Sequence, residues 1–162
     1  MPITDKFFAI NIRKYLALGD DHEAGEPALI QLLSGFSCPK NPDVEHFLKK
    51  NAIEFTKKNQ SVTYLVFSKD NGEMLGYFTL ALKPLTIRGE TVSNTTKRKL
   101  LRVSELDVKS DTYTMSAYLI AQLGKNYADG RNREIAGKEL IELAWMIIEK
   151  TQYMFGGMVT FL

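Results

Sequence analysis

A nearly continuous apolar run, Tyr118–Leu123 broken only by Gln122, leads through a loop over Asn126–Arg133 into the longest amphipathic segment of the chain, about Arg133 to Thr151. Such a run predicts a strand buried on both faces. In the segment behind it, Ala136, Leu140, Leu143, Ala144 and Ile147 recur at helical spacing, and Lys138, Glu139, Glu142, Glu149 and Lys150 occupy the wet side. Gly156-Gly157 stops this helix, and Met158–Leu162 reads as a further strand. A buried strand that feeds a loop opening a helix creates an anion site. The first N–H groups of the helix lack partners, and its dipole adds partial positive charge there. Asn132, Arg133, Ala136, Gly137 and Lys138 crowd this point. Gly137 permits close backbone approach, and Arg131, Arg133 and Lys138 supply cations suited to a pyrophosphate.

The upstream half supplies the other layers. Within Phe7–Leu18, Phe8, Ile10 and Ile12 alternate against Ala9, Asn11 and Arg13, as in a half-buried strand. Gly19–His22 is turn chemistry. Ala28, Leu29, Leu32 and Leu33 then repeat at helical spacing, with Pro27 acceptable in a first turn. Asn41 caps a second helix predicted through Lys58, with Pro42 at its first position and Val44, Phe47, Leu48 and Phe55 as its stripe. Val62–Ser68 and Glu73–Leu82 flank Asn71-Gly72, the strongest short-range hairpin signal. Residues 84–116 are less regular. Ser93 caps a helix read through Leu106, on which Lys97, Arg98, Lys99 and Arg102 cluster. Two readings of that cluster stand open: a solvated helix face, or an excursion that borders a substrate site and prefers anionic groups.

Composition narrows the function classes. At 162 residues, the length suits one domain with a substantial core. The single cysteine rules out an internal disulfide and favours a reducing, cytoplasmic setting. A net charge of +2 argues against nucleic acid as a partner. No apolar run approaches the roughly 20 residues of a spanning helix, so no membrane role is expected. His22 and His46 stand apart from each other and from Cys38, and no metal site is expected. Cys38 reads as an ordinary loop thiol. The Gly-x-Ser-x-Gly, P-loop and dinucleotide motifs do not occur.

The order of elements resembles that of the GNAT acetyltransferase superfamily: strand, two helices, antiparallel three-strand meander, long helix, fifth strand. The family's helix-start signature is Gln/Arg-x-x-Gly-x-Gly/Ala followed by an aliphatic pair. With Leu140-Ile141 on that pair, Gly137 takes the final small residue, Ile135 the middle Gly and Asn132 the Gln/Arg. A second register sets Arg131 and Ala136 on the ends with Glu134 between, but moves Glu139 onto an aliphatic position; the first register keeps the core stripe.

The resemblance implies an α/β (α+β) fold, a mixed and mostly antiparallel central sheet flanked by helices. Residues 1–162 would form one domain, with 84–116 an irregular or helical insertion between the third and fourth strands. It implies acetyl-CoA as co-substrate and no metal. Its pyrophosphate would rest on main-chain N–H groups of Asn132, Arg133, Glu134, Ile135, Ala136, Gly137 and Lys138. Its pantetheine arm would lie along Gln122, Leu123, Gly124 and Lys125 like an added strand. The implied chemistry is direct acetyl transfer to a primary amine of a small molecule or peptide, with a homodimer left open.

No catalytic residue is assigned. Glu73, Ser116 and Tyr118 are conceivable near the acetyl end, yet each is explained equally well as turn, strand or core. The tyrosine-bearing helix that follows the fifth strand in the family finds no counterpart before Leu162, and an apolar strand at the end is an aggregation hazard unless neighbours bury it. An incomplete domain is therefore expected. The rival readings are a non-catalytic CoA-binding or regulatory module and, as a minor option, a toxin that acetylates aminoacyl-tRNA.

Overall fold

The structure is a computed structural model describing residues 1–157 and 159–162. Its sheet is built where β-branched and aromatic residues concentrate: β1 (Phe7–Asn11), β2 (Val62–Ser68), β3 (Met74–Arg88), β4 (Glu105–Asp107), β5 (Thr112–Lys125) and β6 (Val159–Phe161). These six strands form one sheet in the order β1-β2-β3-β5-β4, with β6 also pairing β5. Every pairing is antiparallel except the parallel one between β5 and β6. The sheet is thus mixed and mostly antiparallel.

Helices cover both faces. On one face lies α7 (Gly137–Phe155), whose Leu140, Leu143, Ala144 and Ile148 pack with Val66, Leu75, Phe78, Tyr118 and Ile120. Ile148 is the fully buried member of the last turns, while Ile147 is only partly covered. On the other face, α3 (Glu26–Ser34), α4 (Pro42–Lys50) and α5 (Ala52–Lys57) contribute Leu29, Leu33, Val44, Leu48 and Ala52 to a cluster with Leu65, Phe67 and Tyr77. Two short turns, α1 (Ile3–Lys6) and α2 (Arg13–Leu16), flank β1. Among the described residues no helix is long and apolar enough to cross a membrane.

Several boundaries differ from the sequence reading. The first strand stops at Asn11, whose Oδ1 accepts from the Arg13 N–H at 2.9 Å and starts a helical turn instead of continuing the alternation. The helix expected over residues 41–58 is two helices, because Asn51 leaves helical geometry (φ −120°, ψ −30°). Phe47 and Phe55 then meet edge to face across the break, 5.6 Å apart. Pro42 does open α4, but the Asn41 side chain makes no capping bond. Helix α7 begins at Gly137 and not near Arg133. Residues Ala128–Arg133 form a tighter 3₁₀ turn interrupted by Asp129 (φ 53°) and Gly130 (φ 73°). At its other end, Gly156 (φ 79°) terminates the helix as expected. Met158 lies outside the described residues, and the last strand is Val159–Phe161.

The largest difference concerns residues 84–116. They are an extension of the sheet: β3 and β5 stay paired from Lys83↔Ala117 out to Arg88↔Thr112, and β4 adds to the β5 edge. Helix α6 (Asn94–Leu100) is capped by Ser93, whose Oγ accepts from the Thr96 N–H at 3.2 Å, and ends well before Leu106. Leu100, Tyr113 and Met115 form a separate small core with Leu85, Ile87 and Val103 around them. That core needs alternation, which is why β5 starts as a one-sided strand with Tyr113 and Met115 buried and Thr114 and Ser116 exposed. The strand expected over Tyr118–Leu123 therefore begins earlier, at Thr112, and its added first half buries one face.

Candidate functional site

The site grows from one irregularity in β5. Thr79 of β3 pairs with Gln122 whereas Leu80 pairs with Ile120, so Ala121 has no partner on β3. An extra residue of this kind bends a strand and increases its twist. Strand β6 follows the other edge of β5 only along Ala117, Tyr118 and Leu119. Beyond the bulge, Gln122–Lys125 has no strand on that edge among the described residues. An open edge of main-chain donors and acceptors therefore runs from the bulge toward the start of α7.

The loop that follows is anchored at its first residue by a buried side chain. Asn126 is fully buried. Its Oδ1 accepts from the N–H groups of Ser37 and Ala128, each at 3.1 Å, and its Nδ2 donates to the Met74 carbonyl at 2.9 Å. The backbone reinforces this, with Asn126 N–H donating to Leu75 O and Tyr127 N–H to Ser37 O. Nothing in the local sequence marks Asn126, because two of its three side-chain partners, Ser37 and Met74, lie in distant segments.

The helix start itself fits an anion. Ala136 is the extended residue before α7 (φ −91°, ψ 152°). Its N–H donates to Glu139 Oε1 at 2.9 Å, and Lys6 Nζ approaches the other carboxylate oxygen at 3.7 Å. The N–H groups of Gly137 and Lys138, at the first positions of the helix, have no intrahelical acceptor. A Cβ added at Gly137 would meet nothing within 4 Å, so open space lies beside these donors. Ile135 is buried in the α7 core cluster, and its branched side chain therefore anchors the loop instead of crowding the opening.

The charged residues divide. Arg131 is committed inside the protein: it pairs with Glu73 of the hairpin turn at 2.6 Å and with Asp129 at 3.7 Å. It is therefore not a spare cation for a phosphate, contrary to the sequence reading. Asn71 of the same turn donates to Glu134 Oε1 at 3.1 Å, a second tie between hairpin and loop. Arg133 and Lys138 are exposed and have no carboxylate partner among the described residues. The Asn132 carbonyl accepts from Lys125 Nζ at 3.2 Å.

The four β5 residues do different work. Gln122 and Leu123 are half-buried along the open edge. Gly124 faces away from α7, where a Cβ would run into Val44 Cγ1. Its lack of a side chain lets α4 pack on the strand. Gly124→Ala is expected to cost about 1–3 kcal/mol through overpacking, read as a shift in urea midpoint at constant m-value.

The side chains considered near the acetyl end are engaged elsewhere. Glu73 holds Arg131 at the hairpin turn, and Ser116 is exposed opposite Pro84. Tyr118 is buried and donates its hydroxyl to the Gly156 carbonyl. Tyr77 donates to the Val44 carbonyl, and burial, with a smaller effect of the neighbouring Cys38 thiol, pushes its phenol well above the ordinary range. Cys38 is itself buried, as an ordinary packed thiol. Among the described residues no group of three His, Cys, Asp or Glu side chains converges to hold a metal.

The mixed, mostly antiparallel six-strand sheet with helices on both faces matches the GNAT-like acetyltransferase fold. Solved structures share it. AtaT complexed with acetyl-methionyl-tRNAfMet superposes with a TM-score of 0.57 at 13% identity, over 93% of this chain and 73% of that one. A KacT mutant gives 0.58 at 17% identity, over 93% and 74%. AtaTR bound with AcCoA gives 0.51 at 14%, over 94% and 71%. No protein-family profile matches the sequence, and no curated protein matches it.

Proposed function

We propose that the protein is an acetyl-CoA-dependent N-acetyltransferase that acts on a primary amine. The observation that carries this reading is the open edge Gln122–Lys125 running from the Ala121 bulge to unpartnered N–H groups at Gly137 and Lys138. The edge offers main chain to an amide-bearing pantetheine arm, and the helix start offers donors and dipole to a diphosphate. The AcCoA-bound neighbour supports the same cofactor. In the transfer, the neutral amine forms a bond to the thioester carbonyl carbon and the carbon–sulfur bond breaks. The amine loses a proton to a base or water, and the leaving thiolate takes one up. A main-chain N–H on β5 near the bulge is suited to hold the developing oxyanion.

The first acceptor to test is the amine of an aminoacyl-tRNA. One neighbour is seen with an acetylated methionyl-tRNA. Here Arg98, Lys99 and Arg102 on and just after α6 are exposed without carboxylate partners among the described residues, and only Lys97 is paired, with Asp111 at 4.0 Å. Such a ridge attracts phosphate backbone despite the small net charge. A second reading, a module that holds CoA without transferring acetyl, is favoured by the engagement of the Tyr118 hydroxyl.

Calorimetric titration with CoA and a thiol-release assay across aminoacyl-tRNA, polyamines, amino acids and peptides separate the readings. Saturable CoA binding with amine-dependent thiol release is the expected result. Binding without release for any amine selects the module, and no heat at millimolar CoA with folded protein removes both.

A further inference from the structure

We propose that Lys40, Lys125 and the Tyr127 ring form a second anion position beside the α7 loop, and that it receives the 3′-phosphate of the CoA ribose. This rests on the CoA-binding reading above and extends it to side chains that reading does not use. Lys40 comes from the loop between α3 and α4, and Lys125 from the end of β5. Both ammonium groups lie over the same Tyr127 ring, at 5.5 Å and 6.0 Å from its centre. Attraction to the ring gathers them there, but it neutralises neither.

Five other lysines, Lys6, Lys49, Lys57, Lys58 and Lys97, each have a carboxylate within 4.0 Å. Lys40 and Lys125 have none among the described residues. Two like charges drawn to one small ring repel each other, and an anion between or above them relieves that repulsion.

The position of Lys125 decides which anion. Its Nζ donates to the Asn132 carbonyl at 3.2 Å, which ties it to the loop whose far end presents the Gly137 and Lys138 donors. In CoA a phosphate monoester sits a few bonds from the diphosphate, on the ribose. A monoester carries close to two negative charges at neutral pH, so it is the group that two free ammoniums reward most. Lys125 keeps donors beyond the one given to Asn132, and the Lys40 ammonium makes no hydrogen bond among the described residues.

The test compares CoA with 3′-dephospho-CoA by isothermal titration of the full chain, in wild type, Lys40→Met and Lys125→Met. Wild type is expected to prefer CoA by about ten- to hundredfold, the worth of charge-assisted hydrogen bonds to one group. Each variant is expected to lose most of that preference, and in Lys40→Met the affinity for 3′-dephospho-CoA is expected to stay within about twofold. Lys40→Met is the cleaner variant, since it removes no hydrogen bond of the loop. Equal affinity of the wild type for both ligands overturns the proposal and leaves the CoA reading intact. So does a Lys40→Met variant that weakens both ligands by the same factor. If neither ligand binds folded wild type, the CoA reading fails and this assignment fails with it.

Discussion

Asn126→Ala is expected to destabilise the protein by about 2–4 kcal/mol and to lower Tm by roughly 5–15 °C. The substitution removes a fully buried side chain that satisfies three main-chain groups, the N–H of Ser37, the N–H of Ala128 and the carbonyl of Met74. Water does not reach these groups readily, so each loses its partner without replacement, and that desolvation cost exceeds the value of an ordinary exposed hydrogen bond. Thermal melting followed by circular dichroism reads the effect.

Asn126→Asp sharpens the assignment. The carboxylate keeps both acceptor bonds but turns an oxygen toward the Met74 carbonyl, where the amide had donated. Its ionised form is disfavoured in the folded state, which raises the folded pKa above the unfolded one. Stability is then regained as pH falls through that raised value, because the protonated acid can donate to Met74 again. A variant with wild-type Tm at neutral pH would show that Asn126 does not pin the loop.

Asn126 also marks where sequence reasoning stops. Two of its three side-chain partners lie 89 and 52 residues away, in Ser37 and Met74. No window around Asn126 contains them. By contrast, the hairpin at Asn71-Gly72 was legible because its signal is local, and Gly72 takes the positive φ (72°) that its turn demands. The stripe Leu140, Leu143, Ala144 was legible for the same reason. Periodicity gave no warning at Asn51, where a single residue leaves helical geometry inside a pattern that continues through Phe55. The ribbon over residues 84–116 was hidden because its strands gain stability from cross-strand pairs such as Thr86 with Thr114 and from a private core under α6. Neither is visible until the two halves are brought together.

The candidate site follows the same division. The anion-binding character of the loop was readable from residue types and from their place before a long helix. Which residues remain free for a ligand was not. Arg131 is bound by Glu73 across the hairpin, and Gly124 proves to serve the packing of α4. The early placement of the helix start near Arg133 hid the role of Glu139. Only with the helix beginning at Gly137 does Glu139 fall where its carboxylate can accept from the Ala136 N–H.

Gly137→Glu separates folding from ligand binding at this point, and the two are expected to move in opposite directions. A Cβ at Gly137 enters open space, so the substitution causes no clash. Replacing glycine with a better helix former in the first turn, and adding negative charge at the positive end of the dipole, favour the helix by up to about 1 kcal/mol. Tm is therefore expected to hold or rise slightly. The same carboxylate lies beside the N–H groups of Gly137 and Lys138 and competes with a diphosphate for them. At a separation of about 5 Å and an effective dielectric near 20, repulsion between two unit charges is roughly 3 kcal/mol before salt screening. CoA affinity is expected to fall by about 30- to 100-fold, with recovery toward a smaller deficit as ionic strength rises. Gly137→Ala supplies the control, since it adds the Cβ without the charge and should leave affinity within about threefold. A Glu variant that melts like wild type and binds CoA equally well would place the diphosphate away from the start of α7. A loss of affinity without loss of stability would tie the charge of the ligand to two main-chain N–H groups.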